Sequence, residues 1–266
     1  TEEELFNCNK YDSLELQNDI TITEHEDSIT ALLGDFNGNG HTIKNLNKPL
    51  IERIGRYSTV SDLTITESHV KVSKRHAGIL ARTHLGILSN ISVKNSMITT
   101  TDSSKTIGGI IGNGTGNEEG GKLIDCDVTN VSVRGSKSAS GGIAGRINEF
   151  NNITVKNCVI SGENVGGGYY IGLAGGGIKQ NIDKKKLQVI DSEIIGTKNV
   201  GGIFGSDNIG EIEDVLVKNT SIIGINKVGG IGGKGHPNSI KQAIVEDCKI
   251  EGRSDVGGFA GEIGDR

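Results

Sequence analysis

A sevenfold pattern of apolar positions runs through residues 61–266. In each copy, two apolar residues two positions apart precede one polar residue, and a third apolar residue follows it three positions later. Residues two apart on a strand share a face, but the odd step across the polar residue would reverse that face in a straight strand. We therefore predict a corner at each polar residue. These residues are Glu67, Asn95, Asn130, Asn157, Asp191, Asn219 and Asp247.

The residue types at the predicted corners support this interpretation. Six of the seven are Asn or Asp, the residues other than glycine that best tolerate a left-handed backbone. The corners are 28, 35, 27, 34, 28 and 28 residues apart, and a glycine-rich motif such as GGIIG (from Gly108) or GGIFG (from Gly201) follows each copy. Such a period, with β-branched residues and no helical pattern, is typical of a solenoid.

The fold class predicted for the chain is all-β: a parallel β-solenoid of about seven coils of ~28 residues. Each coil should contain a strand, an Asn or Asp corner, a second strand, a glycine turn and a short third strand. We expect a right-handed β-helix, because crossovers between parallel strands are usually right-handed. Only nine residues are aromatic and none is Trp, so Ile, Val and Leu must form the core.

Residues 1–60 lack the repeat and are predicted to form an N-terminal cap. Thr1 and Glu4 have the spacing of a capping box on a short helix. A strand is expected over residues 14–22, and a hairpin over residues 33–46 with Asn39-Gly40 as its tight turn. The solenoid itself should cover residues 61–266. The chain stops directly after a glycine motif, from which we expect an excised fragment of a longer protein.

Two segments of the sequence resemble a known family. GDFNGNGHTIKNLNKPL, followed by seven copies of V-K-N-S-x-I and VGGIxG, resembles the glycine-rich GLUG motif. With the opening EELFNCNKYDSLELQNDI, the whole chain resembles the N-terminal, non-catalytic region of the bacterial immunoglobulin-A1-specific zinc metallopeptidases. The resemblance implies a secreted or cell-surface module. Its partners would be a host protein such as immunoglobulin, or other domains of the parent chain.

The resemblance does not extend to catalysis. The family uses an H-E-x-x-H zinc helix, whereas here His25-Glu26 is followed by Asp27-Ser28-Ile29. We therefore expect this chain not to be an enzyme and to bind no cofactor, with zinc confined to the catalytic domain of the parent. The module would act as a spacer or as a platform for a protein substrate.

Two other functions remain open at this point. The same repeats could form a segment of a surface adhesin. Less favoured is a β-helical carbohydrate-active enzyme, since the outward acids Asp191 and Asp247 are explained by their corner positions. A net charge of −5 and a pI of 5.7 argue against a nucleic-acid partner. No apolar stretch is long enough for membrane insertion.

Candidate metal ligands and thiols have structural explanations. Asp35, Asn37, Asn39 and Gly40 match the opening of a calcium loop, but loop position 12 is Leu46, so a turn is favoured. The cysteines share no pairing geometry within the predicted coils, and we expect free, buried thiols. They are Cys8, Cys126, Cys158 and Cys248.

The insertion over residues 165–186 provides the candidate binding residues. It contains Tyr169-Tyr170 and Lys184-Lys185-Lys186. Insertions that leave a regular scaffold often bind partners, and exposed tyrosines are common interface anchors. The alternative is that one tyrosine fills a gap beside the glycines and the lysines are only solvated. A second insertion, over residues 99–121, is polar and glycine-rich.

Overall fold

The chain forms a parallel β-solenoid with one short helix at its N-terminal end. The computed structural model describes residues 1–23, 27–73, 76–100, 106–114, 121–135, 137, 139–172, 183–207, 211–235 and 239–263. Each full coil contributes strands in turn to three parallel sheets. We call them the first sheet, with 16 strands, the second sheet, with 7, and the third sheet, with 8.

The helix α1 covers Glu2–Phe6. The first sheet contains β1 (Leu14–Glu15), β2 (Ile20–Thr21), β3 (Phe36–Asn37), β4 (Thr42–Lys44), β6 (Thr59–Thr66), β7 (His69–Val72), β10 (Ile87–Thr100), β13 (Lys122–Gly135), β16 (Glu149–Lys156), β17 (Val159–Ser161), β20 (Asp183–Ile190), β21 (Glu193–Ile195), β24 (Glu211–Lys218), β25 (Ser221–Ile223), β28 (Ser239–Glu246) and β29 (Lys249–Glu251).

The other two sheets consist of shorter strands. The second sheet contains β8 (His76–Gly78), β11 (Thr106–Gly108), β14 (Ala139–Gly141), β18 (Asn164–Gly166), β22 (Lys198–Gly201), β26 (Asn226–Gly229) and β30 (Ser254–Gly257). The third sheet contains β5 (Ile51–Ile54), β9 (Ala81–His84), β12 (Ile111–Gly114), β15 (Ala144–Ile147), β19 (Tyr169–Gly172), β23 (Phe204–Asp207), β27 (Gly232–Gly235) and β31 (Ala260–Ile263).

The predicted corners and the predicted register are both confirmed. All seven corner residues have a left-handed backbone, with φ between 46° and 56°. The strands pair at the spacing of the repeats, for example Leu63 with Ile91 and Val217 with Val245. One inward column of the first sheet has no exposed surface over six coils; it contains Ile65, Val93, Val128, Val155, Val189 and Val217.

A second row of left-handed residues was missed in the sequence. It lies five positions before the first corner in every coil, with φ between 50° and 60°. The row contains Asp62, Asn90, Asp125, Asn152, Lys186, Asp214 and Gln242. Five of these are also Asn or Asp, so a signal was present, but Lys186 and Gln242 interrupt it. The first sheet therefore bends twice in each coil.

The predictions for the N-terminal region are partly right. The helix is confirmed, because Thr1 and Glu4 form the reciprocal capping box. The hairpin prediction is wrong: β3 and β4 do not pair with each other, and both pair in parallel with β6. The Asn39-Gly40 turn is instead a corner, where the Gly40 N–H donates to the Asp62 carbonyl of the next coil, 2.8 Å away.

The stack of parallel strands therefore begins within the predicted cap. β1 pairs with β3 and β2 with β4, also in parallel. The strand predicted over residues 14–22 consists of these two short strands, β1 and β2. Ile20 pairs with Ile43 and Ile43 with Ile65, so these coils are 23 and 22 residues long. The described residues of these two coils contribute no strand to the second sheet.

The described cysteines are all free thiols, as predicted, but only two are buried. Cys126 and Cys158 lie in the core, whereas Cys8 and Cys248 are partly exposed. Burial raises the pKa of Cys126 to about 12 and that of Cys158 to about 11, so both stay protonated. Within the described ranges, no helix has the length and apolarity needed to cross a membrane.

Candidate functional site: the corner groove and the insertions

The predicted binding residues lie on two different sheets. Tyr169 and Tyr170 begin β19 in the third sheet, while Lys184, Lys185 and Lys186 lie in β20 of the first sheet. Tyr169 pairs with Ala144 and Phe204, whose side chains are buried, so its backbone occupies a core-column position. The side chains of both tyrosines and of Lys184 lie outside the described part of the chain.

Two of the three lysines have described side chains, and both are exposed. The Lys185 Nζ lies 3.6 Å from the Glu213 Oε2 of the next coil. Lys186 occupies the second row of corners, with φ 54°. Lys185 and Lys186 therefore lie at regular strand and corner positions on the outer face of the first sheet.

Each insertion contains a segment outside the described residues that connects a strand of the third sheet to the next strand of the first sheet. Residues 115–120 connect β12 to β13, and residues 173–182 connect β19 to β20. In the coil between them, the corresponding strands β15 and β16 are separated by a single residue. Residues 106–114 of the first insertion form the ordinary strands β11 and β12, so only residues 101–105 and 115–120 of its interior lie outside the described residues.

A shallow groove of about 350 Å³ follows the first row of corners over the last four coils. We call it the corner groove. One side consists of the corner residues Asn157, Asp191, Asn219 and Asp247, the floor of Cys158, Ser192 and Thr220, and the other side of Val159, Glu193, Ser221 and Lys249. The sequence indicated Asp191 and Asp247 but missed Glu193 and Lys249, which lie two residues after the corner.

The floor of the groove is occupied by structural hydrogen bonds. The Ser192 hydroxyl accepts from the Cys158 N–H at 3.1 Å and donates to the Ile190 carbonyl at 2.7 Å. The Thr220 hydroxyl accepts from the Ser192 N–H and donates to the Lys218 carbonyl in the same way. The hydroxyls of Ser192 and Thr220 thus replace backbone partners where these corners interrupt the ladder. A buried N–H without such a partner would be costly.

The corner side of the groove is a ladder of amides and carboxylates. The Asn219 side-chain amide donates to the Asp191 carboxylate at 2.8 Å, and the Asn157 amide donates to Asn130 at 2.5 Å. Beside it, a hydrogen bond to the Glu246 carboxylate raises the pKa of Lys218. This arrangement offers acceptors and donors along the rod, which suits the binding of an extended ligand.

Two of the residues that match a calcium loop use their side-chain oxygens to accept hydrogen bonds from backbone N–H groups. Asp35 accepts from the Thr59 N–H and Asn37 from the Asn39 N–H, each at 2.8 Å. Among the described residues, no group of three or more His, Cys, Asp or Glu could hold a metal ion.

Comparison with known proteins shows a similarity of structure. Neither the family models nor the curated proteins contain a match to the sequence. Among solved structures, the chain is similar to the crystal structure of a putative immunoglobulin A1 protease from Bacteroides ovatus, with a TM-score of 0.54 and 20% identity. The similarity covers 77% of this chain and 68% of that chain. The chain therefore shares its solenoid fold with the Bacteroides ovatus protein.

Proposed function

We propose that this chain is a non-catalytic β-solenoid module of a bacterial secreted or cell-surface zinc metallopeptidase. It would act as a spacer or as a platform that binds a protein substrate. The observation that carries the proposal is the solenoid fold shared with the putative immunoglobulin A1 protease over three quarters of the chain. The zinc would belong to the catalytic domain of the parent protein, and this chain would bind no cofactor.

The architecture suits a spacer. Parallel strands stack at about 4.8 Å, so the stack from β1 to β28 in the first sheet gives a rod of roughly 40 Å. The inward columns continue from coil to coil without a break in packing, as the unexposed column from Ile65 to Val217 illustrates. Bending such a rod would separate strands and open the core, which makes it stiff.

The surface suits a platform for an extended protein segment. The corner groove presents a repeated row of amide and carboxylate groups over four coils. The exposed side chains of Lys185 and Lys186 lie on the adjacent strand β20. A host protein such as immunoglobulin is the partner that this proposal expects.

A binding and cleavage assay tests the proposal. The purified chain, immobilised on a sensor surface, should bind immunoglobulin A1 and should leave it intact after prolonged incubation with zinc. The double variant Lys185→Gln/Lys186→Gln should bind at least about fivefold more weakly, because two cationic donors are lost. Gln242 already occupies the corner row of Lys186, so glutamine fits that backbone.

Lys94→Gln is a control for the loss of a lysine elsewhere on this face, since Lys94 is exposed on the same sheet in an earlier coil. It should bind like the unchanged chain. Cleavage of the immunoglobulin by the isolated chain would overturn the non-catalytic assignment. Absence of binding would exclude the role of a binding platform and leave only the role of a spacer.

A further inference from the structure

The corner groove is a narrow channel that runs along the rod. Its two walls stand on residues two apart in each coil, as Asp191 and Glu193 do on either side of Ser192. Two extended residues span at most about 7 Å, so the channel admits an extended chain but not a helix, whose diameter is about 10 Å. The floor hydroxyls of Ser192 and Thr220 already donate to backbone carbonyls, so a ligand has to be held by the walls.

The corner wall is a hydrogen-bond ladder with two interruptions. In this ladder a side-chain amide donates to the preceding coil and its oxygen accepts from the next, as Asn130 does with Asn95 and Asn157. A carboxylate has no N–H to donate, so Asp191 cannot continue the ladder to Asn157. The same interruption recurs two coils further on, at Asp247. At each interruption the oxygens of two successive coils lack a donor from the ladder, which an ammonium or guanidinium group of a ligand can supply.

The groove has an excess of negative charge. Its lining contains three carboxylates and one ammonium group. That ammonium group belongs to Lys249, whose Nζ lies 2.9 Å from the Glu251 carboxylate. Lys218, beside the corner residue Asn219, lies 2.7 Å from the Glu246 carboxylate. Each lysine at the groove thus already has a carboxylate outside the corner row, and the carboxylates of the groove favour a cationic ligand.

An apolar strip follows the groove beyond its second wall. Ile195 and Ile223 pair with each other, two residues after the wall residues Glu193 and Ser221. They face outward, because the residue between wall and strip, such as Ile194, is buried. Ile195 is 37% exposed. An extended chain in the groove can therefore cover this strip with apolar side chains while its cations meet the corner wall.

We propose that the corner groove binds a polyproline-II segment that carries Lys or Arg at every third residue. Asp191 and Asp247 are two strand spacings apart, about 9.6 Å. Three residues of a polyproline-II helix span about 9.3 Å and return to the same side, so two cations three residues apart reach both interruptions of the ladder. In a β-strand, side chains on one side are about 6.7 Å or about 13 Å apart and miss this spacing. The inference rests on the platform role proposed above and names the segment that the platform accepts.

Two peptides of identical composition test the spacing on the intact chain. The first, acetyl-Pro-Lys-Val-Pro-Lys-Val-Pro-amide, has lysines three residues apart, and the second, acetyl-Pro-Lys-Val-Lys-Pro-Val-Pro-amide, has them two apart. The prolines favour polyproline II in both peptides. NMR titration should give a Kd of about 1 mM or tighter for the first peptide and at least about fivefold weaker binding for the second. Added NaCl should weaken the binding of the first peptide, because exposed charge pairs are screened.

Variants of the corner carboxylates assign the binding to the groove. The double variant Asp191→Asn/Asp247→Asn should weaken the first peptide at least about tenfold, because both cations lose their carboxylates. The variant should fold, since Asn219 occupies the same row with the same left-handed backbone. Asp125→Asn/Asp214→Asn makes an equal change of charge in the second row of corners, and it should change the binding by less than about twofold.

The outcomes separate this inference from the proposed function. Equal binding of the two peptides, undiminished binding by the groove variant, an equal loss in the control variant, or no binding at all would overturn the inference. If lysine amide alone binds as tightly as the first peptide, the groove accepts single cations and the inference is wrong. If immunoglobulin A1 binds the chain and the peptides do not, this inference alone fails. If the first peptide binds and the immunoglobulin does not, only the proposed partner fails.

Discussion

Individual corner residues are chosen mainly for their backbone conformation. Asn and Asp side chains at successive corners hydrogen-bond each other, as Asn90 does with Asp62 at 2.7 Å and Asn152 with Asp125 at 2.6 Å. These bonds are exposed, and each contributes about 1 kcal/mol or less in water. A left-handed backbone costs most other residues roughly 1–2 kcal/mol. The free energy saved by a residue that tolerates the left-handed backbone is therefore at least as large as that of the hydrogen bond. This saving recurs at every corner.

His84 is the residue whose environment departs most from its ordinary one. Its side chain has no exposed surface, and neither ring nitrogen has a hydrogen-bond partner among the described residues. It pairs with Ile54 in a column of the third sheet, and its ring fills the space left by Gly121, where a Cβ would lie 2.0 Å from Nδ1. Burial lowers the pKa of His84 from 6.5 to about 3.

The first prediction concerns this histidine and pH. Because folding lowers the pKa of His84, the unfolded chain binds a proton at this residue below pH 6.5, whereas the folded chain does not bind it until about pH 3. The stability should be fully present above pH 6.5 and should fall as the pH drops through this window. We expect His84 alone to contribute a slope of up to about 1.4 kcal/mol per pH unit.

Urea unfolding from pH 7 to pH 4 measures this slope. His84→Leu should remove most of it, since Leu cannot titrate and Ile54 shows that an aliphatic side chain fits this column. The exposed His69 provides the control, and His69→Leu should keep the slope. Equal slopes in the unchanged chain and the His84 variant would contradict the assignment.

At the scale of one strand, the alternation of buried and outward residues decides the effect of a substitution. In β24, Val217 is fully buried and contacts the glycine turn of an adjacent coil, where a Cβ on Gly202 would lie 2.8 Å from its methyl group. The adjacent Leu216 faces outward and is only partly buried.

The second prediction compares these two neighbours. Val217→Asp places a carboxylate in the core without a partner and should lower the free energy of unfolding by more than about 3 kcal/mol. Leu216→Asp, the same change one residue away, should cost about 1 kcal/mol or less. Chemical denaturation of both variants measures the difference. Similar losses would contradict the column assignment.

Across the whole molecule, the two ends of the stack differ. The N-terminal end is covered by α1, whose Leu5 is buried in the core and whose Glu2 accepts from the Thr23 N–H at 2.9 Å. In the last described coil, the column residues Ala243, Val245 and Ile250 are only partly buried, and Ile244 and Val256 are exposed. In a solenoid each coil is stabilised only by its neighbours, so local stability should follow this difference.

The third prediction is a gradient of amide hydrogen exchange along the rod. Amides of β28 and β29 should exchange fastest, because their column residues are only partly buried. The columns of β24, β25, β10 and β13 are all buried, but β24 and β25 pair with the less buried coil, so their amides should exchange faster than those of β10 and β13. Exchange measured by mass spectrometry on this chain tests the order. Uniform protection over all coils would show that the rod unfolds as one unit.

The sequence by itself determined the fold class, the corner positions, the register and the inward columns of the seven repeats. It could do so because the pattern that specifies these features lies within about ten consecutive residues and is repeated seven times. Each coil therefore supports the interpretation of the next. Of the candidate site, it identified the corner residues of the groove and the insertion lysines. Whether the lysines and tyrosines bind a partner stays a prediction.

Only the tertiary structure decided how the N-terminal residues join the stack. Asn39-Gly40 has the local chemistry of a hairpin turn, but a left-handed corner satisfies the same residues, and the choice between them depends on whether β6 is present as a parallel partner. The same holds for the two short coils, whose described residues contribute no strand to the second sheet. Such features depend on partners distant in the chain, and the local sequence of a turn does not encode them.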